Sequence, residues 1–170
     1  MSHQYTIATV TNETFLLNGK SFIRPCALAE FASLFGDPGE THSLGKPAPY
    51  GHRNNQLHVF ESNGLCLTEH HSTRMIEQVL FFRGLIGHNF PVSRTYEGEL
   101  IVQGEHLEHI IAEEDIPFFF SPRLPGSYGL RFMNNFISIQ CTGKGPTRSK
   151  PKRGRLVKWI SVSLGRSNRM

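Results

Sequence analysis

Nowhere in the 170 residues does an apolar run approach the ~20 residues that a membrane-spanning helix needs. The opening Met1-Ser2-His3-Gln4 also lacks the cationic and apolar segments of a secretory signal. A cytoplasmic protein with no membrane partner is therefore expected. Cysteine is scarce: Cys26, Cys66 and Cys141 are odd in number and form no C-x-x-C pair. That excludes a disulfide framework and a thiolate zinc site, and their apolar neighbours suit small buried thiols. Catalytic signatures are missing as well. There is no P-loop, no G-x-G-x-x-G, no H-E-x-x-H and no G-x-S-x-G elbow. A non-enzymatic protein without a cofactor is the expectation.

Acid is absent from residue 116 onward. Residues 1–115 carry all fourteen Asp and Glu against seven Lys and Arg, a balance of −7; residues 116–170 carry eleven Lys and Arg, a balance of +11. The formal net charge of +4 hides this division. Opposite fields on the two halves concern partners and steering, not fold. Glycine and proline are spread along the chain instead of concentrated in one block, and the length suits one compact domain over 1–170.

What is present is a pattern that occurs twice. Asn18-Gly19 between Phe15-Leu16-Leu17 and Ser21-Phe22-Ile23 predicts a tight hairpin, because a type I′ turn needs two positive φ angles. Pro25 suits a first helical turn, and Ala27, Leu28, Phe31, Leu34 and Phe35 predict a helix over 26–35, stopped by Gly36 and Pro38. The Pro- and Gly-bearing stretch 37–55 reads as an exposed connection. Alternation then predicts three antiparallel strands at 57–60, 65–68 and 75–82. The second copy has a hairpin about Gln103-Gly104, a helical stretch at 108–115, and strands at 129–132, 136–140 and 156–164. Phe118-Phe119-Phe120 is expected in the core. The fold class is α+β: two tandem hairpin-helix-meander modules, 14–83 and 97–164, joined by a linker at 84–96, forming antiparallel sheets covered by short helices.

The copies differ in their last connection. Lys144, Arg148, Lys150, Lys152, Arg153, Arg155 and Lys158 lie within fifteen residues, in a loop longer than its hairpin needs. Such a loop, at 142–158, fits nucleic-acid phosphate or an acidic protein face, although no aromatic precedes Trp159 to stack on bases. Nine histidines include Glu69-His70-His71 and His106-Leu107-Glu108-His109. H-x-x-H on a helix can supply two zinc ligands from one face, but nothing else follows a ligand spacing, and surface or turn positions are expected for these histidines. The carboxylates Glu113, Glu114 and Asp115 read as a solvated patch at a helix end.

The run Phe15 to Phe22, the helix end Leu34-Phe35-Gly36-Asp37-Pro38, the pair around Asn63-Gly64-Leu65, Phe90-Pro91 and the stretch Glu97 to Gly104 resemble an uncharacterised family of small bacterial proteins. That family accompanies polymorphic toxins of the Rhs or type VI secretion kind. The resemblance covers roughly residues 14–107; it departs where a tryptophan-containing strand is expected near 57–60, and in the basic C-terminal loop. In layout the doubled pattern is also similar to the tandem-module β-lactamase inhibitor proteins. The resemblance implies an immunity protein that blocks a cognate secreted toxin. Read from the residues themselves, the candidate contacts of such a binder are the loop cations Arg148, Lys150, Lys152, Arg153 and Arg155 and the aromatics Tyr50 and Tyr128. Two alternatives remain open: a nucleic-acid accessory protein using the 142–158 loop, and an enzyme that reverses a toxin's modification.

Overall fold

The computed structural model describes residues 8–10, 15–17, 20–22, 26–43, 55–84, 94–113, 116–120, 127–132, 137–142, 146–152 and 156–164; at 8–10, 15, 118–120, 127 and 132 it describes the backbone alone. In chain order the elements are β1 (Ala8–Val10), β2 (Phe15–Leu17), β3 (Lys20–Phe22), β4 (Cys26–Ala27), α1 (Leu28–Phe35), β5 (Glu40–Ser43), β6 (Gln56–Phe60), β7 (Leu65–Glu69) and β8 (Met75–Phe82). They continue with β9 (Leu100–Val102), β10 (Glu105–His106), α2 (Leu107–Glu113), β11 (Phe118–Phe120), β12 (Ser127–Phe132), β13 (Ile137–Thr142) and β14 (Leu156–Ser163). Among the described residues the protein is mostly antiparallel β-sheet with two short helices, an α+β fold.

The larger, nine-stranded sheet runs β11-β12-β13-β14-β8-β7-β6-β5, with β4 also paired to β8. From one edge the strands are met in the order 5, 6, 7, 8 and from the other 11, 12, 13, 14, so β8 and β14 join at the centre, with Ile160 opposite Phe81. The smaller sheet runs β10-β9-β1-β2-β3. Its β1–β9 pair is parallel, with Thr9 opposite Ile101, and joins two hairpins that are far apart in sequence. Period-two alternation sends Val79, Phe81, Ile137, Ile139, Ile160 and Val162 to one face of the larger sheet. There they share a core with Leu17, Phe22, Leu100 and Val102 of the smaller sheet and with Phe31, Leu107 and Ile110 of the helices. On the opposite face Leu57, Val59, Cys66 and Phe82 form a second cluster, with Leu80 and Trp159 against it.

Several expectations are corrected. The first helix starts at Leu28, not Cys26, because Cys26–Ala27 pair with Met75 and Ile76 of β8. Pro25 lies outside the described residues. Glu30 accepts a hydrogen bond from the Ala27 N–H at 3.3 Å and closes the new N-terminus. The 37–55 connection contains β5, an edge strand whose four residues are all exposed. Without apolar alternation it gave no signal, yet it pairs in register with β6, His42 opposite Leu57. The Gln103-Gly104 turn takes φ 52° and 87°, both positive, so it has the I′ form despite its poorer first residue. The β2–β3 register, with Leu17 opposite Lys20, leaves two residues for the first turn, but Asn18-Gly19 themselves are outside the described set, as are the side chains of Phe118 to Phe120.

Tyr96, in the stretch read as a linker, is 2% exposed and packs edge-on to Phe81, ring centroids 4.8 Å apart. The Tyr96 N–H donates to the Phe82 carbonyl at 2.6 Å, laying residues 94–98 across the start of the β7–β8 hairpin. Arg83 clamps this crossing. Its guanidinium donates to the carbonyls of Tyr96 at 2.6 Å and Gly98 at 2.7 Å, and pairs with Glu108 of α2 at 2.7 Å. Burial pushes the Tyr96 hydroxyl pKa up, and the Arg83 charge pulls it partly back.

The three thiols are buried and free of disulfides. Burial pushes both Cys26 and Cys66 up to about 12, with Glu30 adding to the rise at Cys26. Since the thiolate is the reactive form, thiol reagents at pH 8 are expected to label the folded protein far more slowly than the protein in urea. Native labelling at the denatured rate would show these sites to be open. In an unfolded chain the same thiols ionise from about pH 9. Their contribution therefore lowers stability as the pH rises from about 9 to about 12.

Candidate functional site

The basic connection is ordered at its described centre. Thr147 and Lys150 exchange backbone hydrogen bonds at 3.0 and 3.1 Å, and the Thr147 hydroxyl accepts a further one from the Lys150 N–H at 3.1 Å. Arg148 and Ser149 thus sit at the tip of a tight turn, with Arg148, Lys150 and Lys152 exposed. Lys152 Nζ donates to the Glu113 carbonyl at the end of α2, where a cation suits the negative end of the helix dipole. Arg148 and Lys150 make no ion pair among the described residues, so their charge faces solvent. The structure therefore brings three of the expected cations onto one anchored turn. Arg153, Arg155 and Tyr50 lie outside the described residues. Tyr128 is a correction: at 1% exposure it belongs to the core of β12 and offers no surface to a partner.

A second polar group, which sequence reasoning did not single out, lies at the β5 edge. His58 and Glu69 are 4% and 3% exposed. His58 Nε2 is 3.3 Å from Glu69 Oε2, and its Nδ1 is 3.0 Å from the Thr41 hydroxyl on β5. A carboxylate only accepts, so Nε2–H donates to Glu69 and Nδ1 accepts from Thr41. Arg74, with φ 56°, brings Nε to 3.0 Å from Glu69 Oε1, a charge contact without hydrogen-bond alignment. Alternation gave no warning of this chain, because His58 stands between Leu57 and Val59 at an ordinary strand position.

The noted histidines take local roles nearby. His70 Nδ1 accepts from the Ser72 and Thr73 N–H groups at 3.3 Å each, organising the β7–β8 turn. The His71 N–H donates to Asn55 Oδ1 at 3.2 Å. His106 and His109 are exposed on β10 and α2. Among the described residues no three His, Cys, Asp or Glu side chains gather as a metal site, and no helix is long and apolar enough to cross a membrane.

Residues 7–116 match the family described as a domain of unknown function (DUF7738), close to two-thirds of the chain. The chain belongs to that family. The match takes in β1 to α2, while β11 to β14 and the basic turn lie beyond it. No curated protein and no solved structure matches the chain.

Proposed function

We propose that this protein is an immunity-type binder that seats on a cognate secreted toxin in the cytoplasm and blocks its active site sterically. The observation that carries this reading is the anchored cationic turn. Arg148 and Lys150 are held exposed by a two-residue hairpin that is pinned through Lys152 to α2. A preordered charged projection on a rigid scaffold steers association and loses little entropy on docking. Arg153 and Arg155 belong to the same connection in sequence. The same reading takes the fold as two tandem modules, 14–83 and 97–164. Each supplies a hairpin, a helix and a meander, and the meanders meet at β8 and β14. Doubling of this kind builds a surface wider than either unit alone.

Reversing the charge of the turn with Arg148→Glu and Lys150→Glu is expected to slow association with the product of the adjacent open reading frame by about tenfold or more at low salt, and to abolish protection of cells expressing it. Stopped-flow association and a co-expression survival assay read these outcomes. A wild-type protein that neither binds nor protects ends the immunity reading.

The exposed cations also favour a second reading, binding to nucleic-acid phosphate. It requires affinity for random RNA or DNA that falls with salt at a slope of about 0.7–0.9 per phosphate contacted and is lost in the same variant. Salt-independent binding, or none, removes it.

A further inference from the structure

The face of the larger sheet turned away from the main core is not uniform. Across β6, β7 and β8 it carries the buried cluster of Leu57, Val59, Cys66 and Phe82. Across β12, β13 and β14 it is polar. Pairing register places Arg131, Ser138 and Ser161 in one row and Gly129, Gln140 and Trp159 in the next, the latter continuing to Phe82 of β8. Gln140 is 9% exposed, and its Nε2 is buried with no hydrogen-bond partner. An unsatisfied buried amide is destabilising, and native proteins hold few of them. Two residues on, on the same face, Thr142 stands opposite Leu156, which is 70% exposed. Trp159 is half-buried beside Gln140.

An exposed leucine, a half-buried tryptophan and an unpaired amide donor lie together where β13 enters the basic connection and β14 leaves it. The surroundings are rich in donors and cations: Arg131 is exposed on the same face, and Arg148 and Lys150 lie on the connecting turn. No Asp or Glu occurs anywhere from residue 116 onward. A ligand of this surface must bring acceptors and negative charge together with an apolar group to cover Leu156 and Trp159. That combination describes an acidic protein segment.

We infer that this patch, Gln140, Thr142, Leu156 and Trp159 with Arg131 beside it, is the docking face for an acidic segment of the partner protein, whose carboxylate or carbonyl oxygen accepts from Gln140 Nε2. The inference rests on the immunity reading for the identity of that partner and adds where it sits. Arg148 and Lys150 steer the segment; Leu156 and Trp159 are its apolar anchors.

The test separates a binding role from a structural one by moving stability and affinity in opposite directions. Gln140→Leu removes the unpaired amide, so its denaturation midpoint is expected to hold or rise. Its affinity for the adjacent gene's product, measured by calorimetry, is expected to fall about tenfold. Leu156→Asp, at an exposed position where folding is safe, is expected to weaken binding similarly. Unchanged affinity in both variants overturns this face while leaving the immunity reading intact. A fall in stability that accounts for the loss in Gln140→Leu, with Leu156→Asp unchanged, overturns it too.

A second arm does not depend on the toxin. In an NMR titration of the wild-type protein, hexaglutamate is expected to shift the Gln140 side-chain amide saturably and hexalysine is not. No shift at millimolar hexaglutamate, or a saturable shift with oligouridylate alone, overturns the proposal even if the toxin itself fails to bind and the immunity reading falls separately.

Discussion

Gly64→Ala is expected to cost more than about 3 kcal/mol and to leave little folded protein, measured by urea denaturation of the wild type and the circular dichroism of the variant. Gly64 closes the short 3-10 turn at 61–63 with φ 66°, where an L side chain is strained. The space is also closed. A β-carbon there would lie 2.3 Å from the Thr95 carbonyl carbon and from the Tyr96 nitrogen, both backbone atoms that no rotamer change can move. The crossing segment cannot back away cheaply, because Tyr96 N–H is bonded to Phe82 and its carbonyl to Arg83. Gly104→Ala supplies the control. It has φ 87° but nothing within 4 Å of the added carbon, so it is expected to cost about 1 kcal/mol, the conformational part alone. Equal effects of the two substitutions would show that the 94–98 crossing is not the constraint.

His58→Leu is expected to destabilise by about 3 kcal/mol, because it strands the buried Glu69 carboxylate with only the exposed Arg74 for company. Glu69→Leu alone leaves His58 Nε2 buried without an acceptor and is expected to cost about 2 kcal/mol. The double variant removes both groups together. It is expected to recover most of the loss, since replacing a buried polar pair by packed apolar side chains is commonly near neutral. Denaturant titration of the four proteins closes this cycle. Additive losses would mean that His58 and Glu69 do not act as a pair, and that Thr41 or Arg74 carries the energy instead.

Much of the element order was readable because it rests on local physics. Met75 to Phe82 is an apolar-rich run of strand length, and its bounds are those expected. Asn18-Gly19 forces a two-residue connection, and the Leu17–Lys20 register provides it. Misses cluster where long-range pairing overrides local preference. Cys26–Ala27 are drawn out of the helix by β8, β5 is a strand because β6 offers it hydrogen bonds, and β1 completes a sheet by a parallel pairing to residues about ninety positions away. The candidate site divides in the same manner. The basic turn is a composition signal and was visible; Tyr128 was not, because β12 begins at Ser127, before the expected Gly129, and takes Tyr128 into the core.

The sequence by itself determined the strands of the two meanders, β6 to β8 and β12 to β14, the Gln103-Gly104 turn, the unpaired buried thiols and the charge division at residue 115. Each follows from the residues within a short window. Only the tertiary structure decided that β8 and β14 meet, that Gly64 lies under the crossing segment 94–98, and that His58 finds Glu69. It alone also placed Gln140, Leu156 and Trp159 together at the root of the basic turn. Those contacts depend on strand register and on which face is buried. Both are fixed when the two sheets close over one core, and no short window of sequence carries that information.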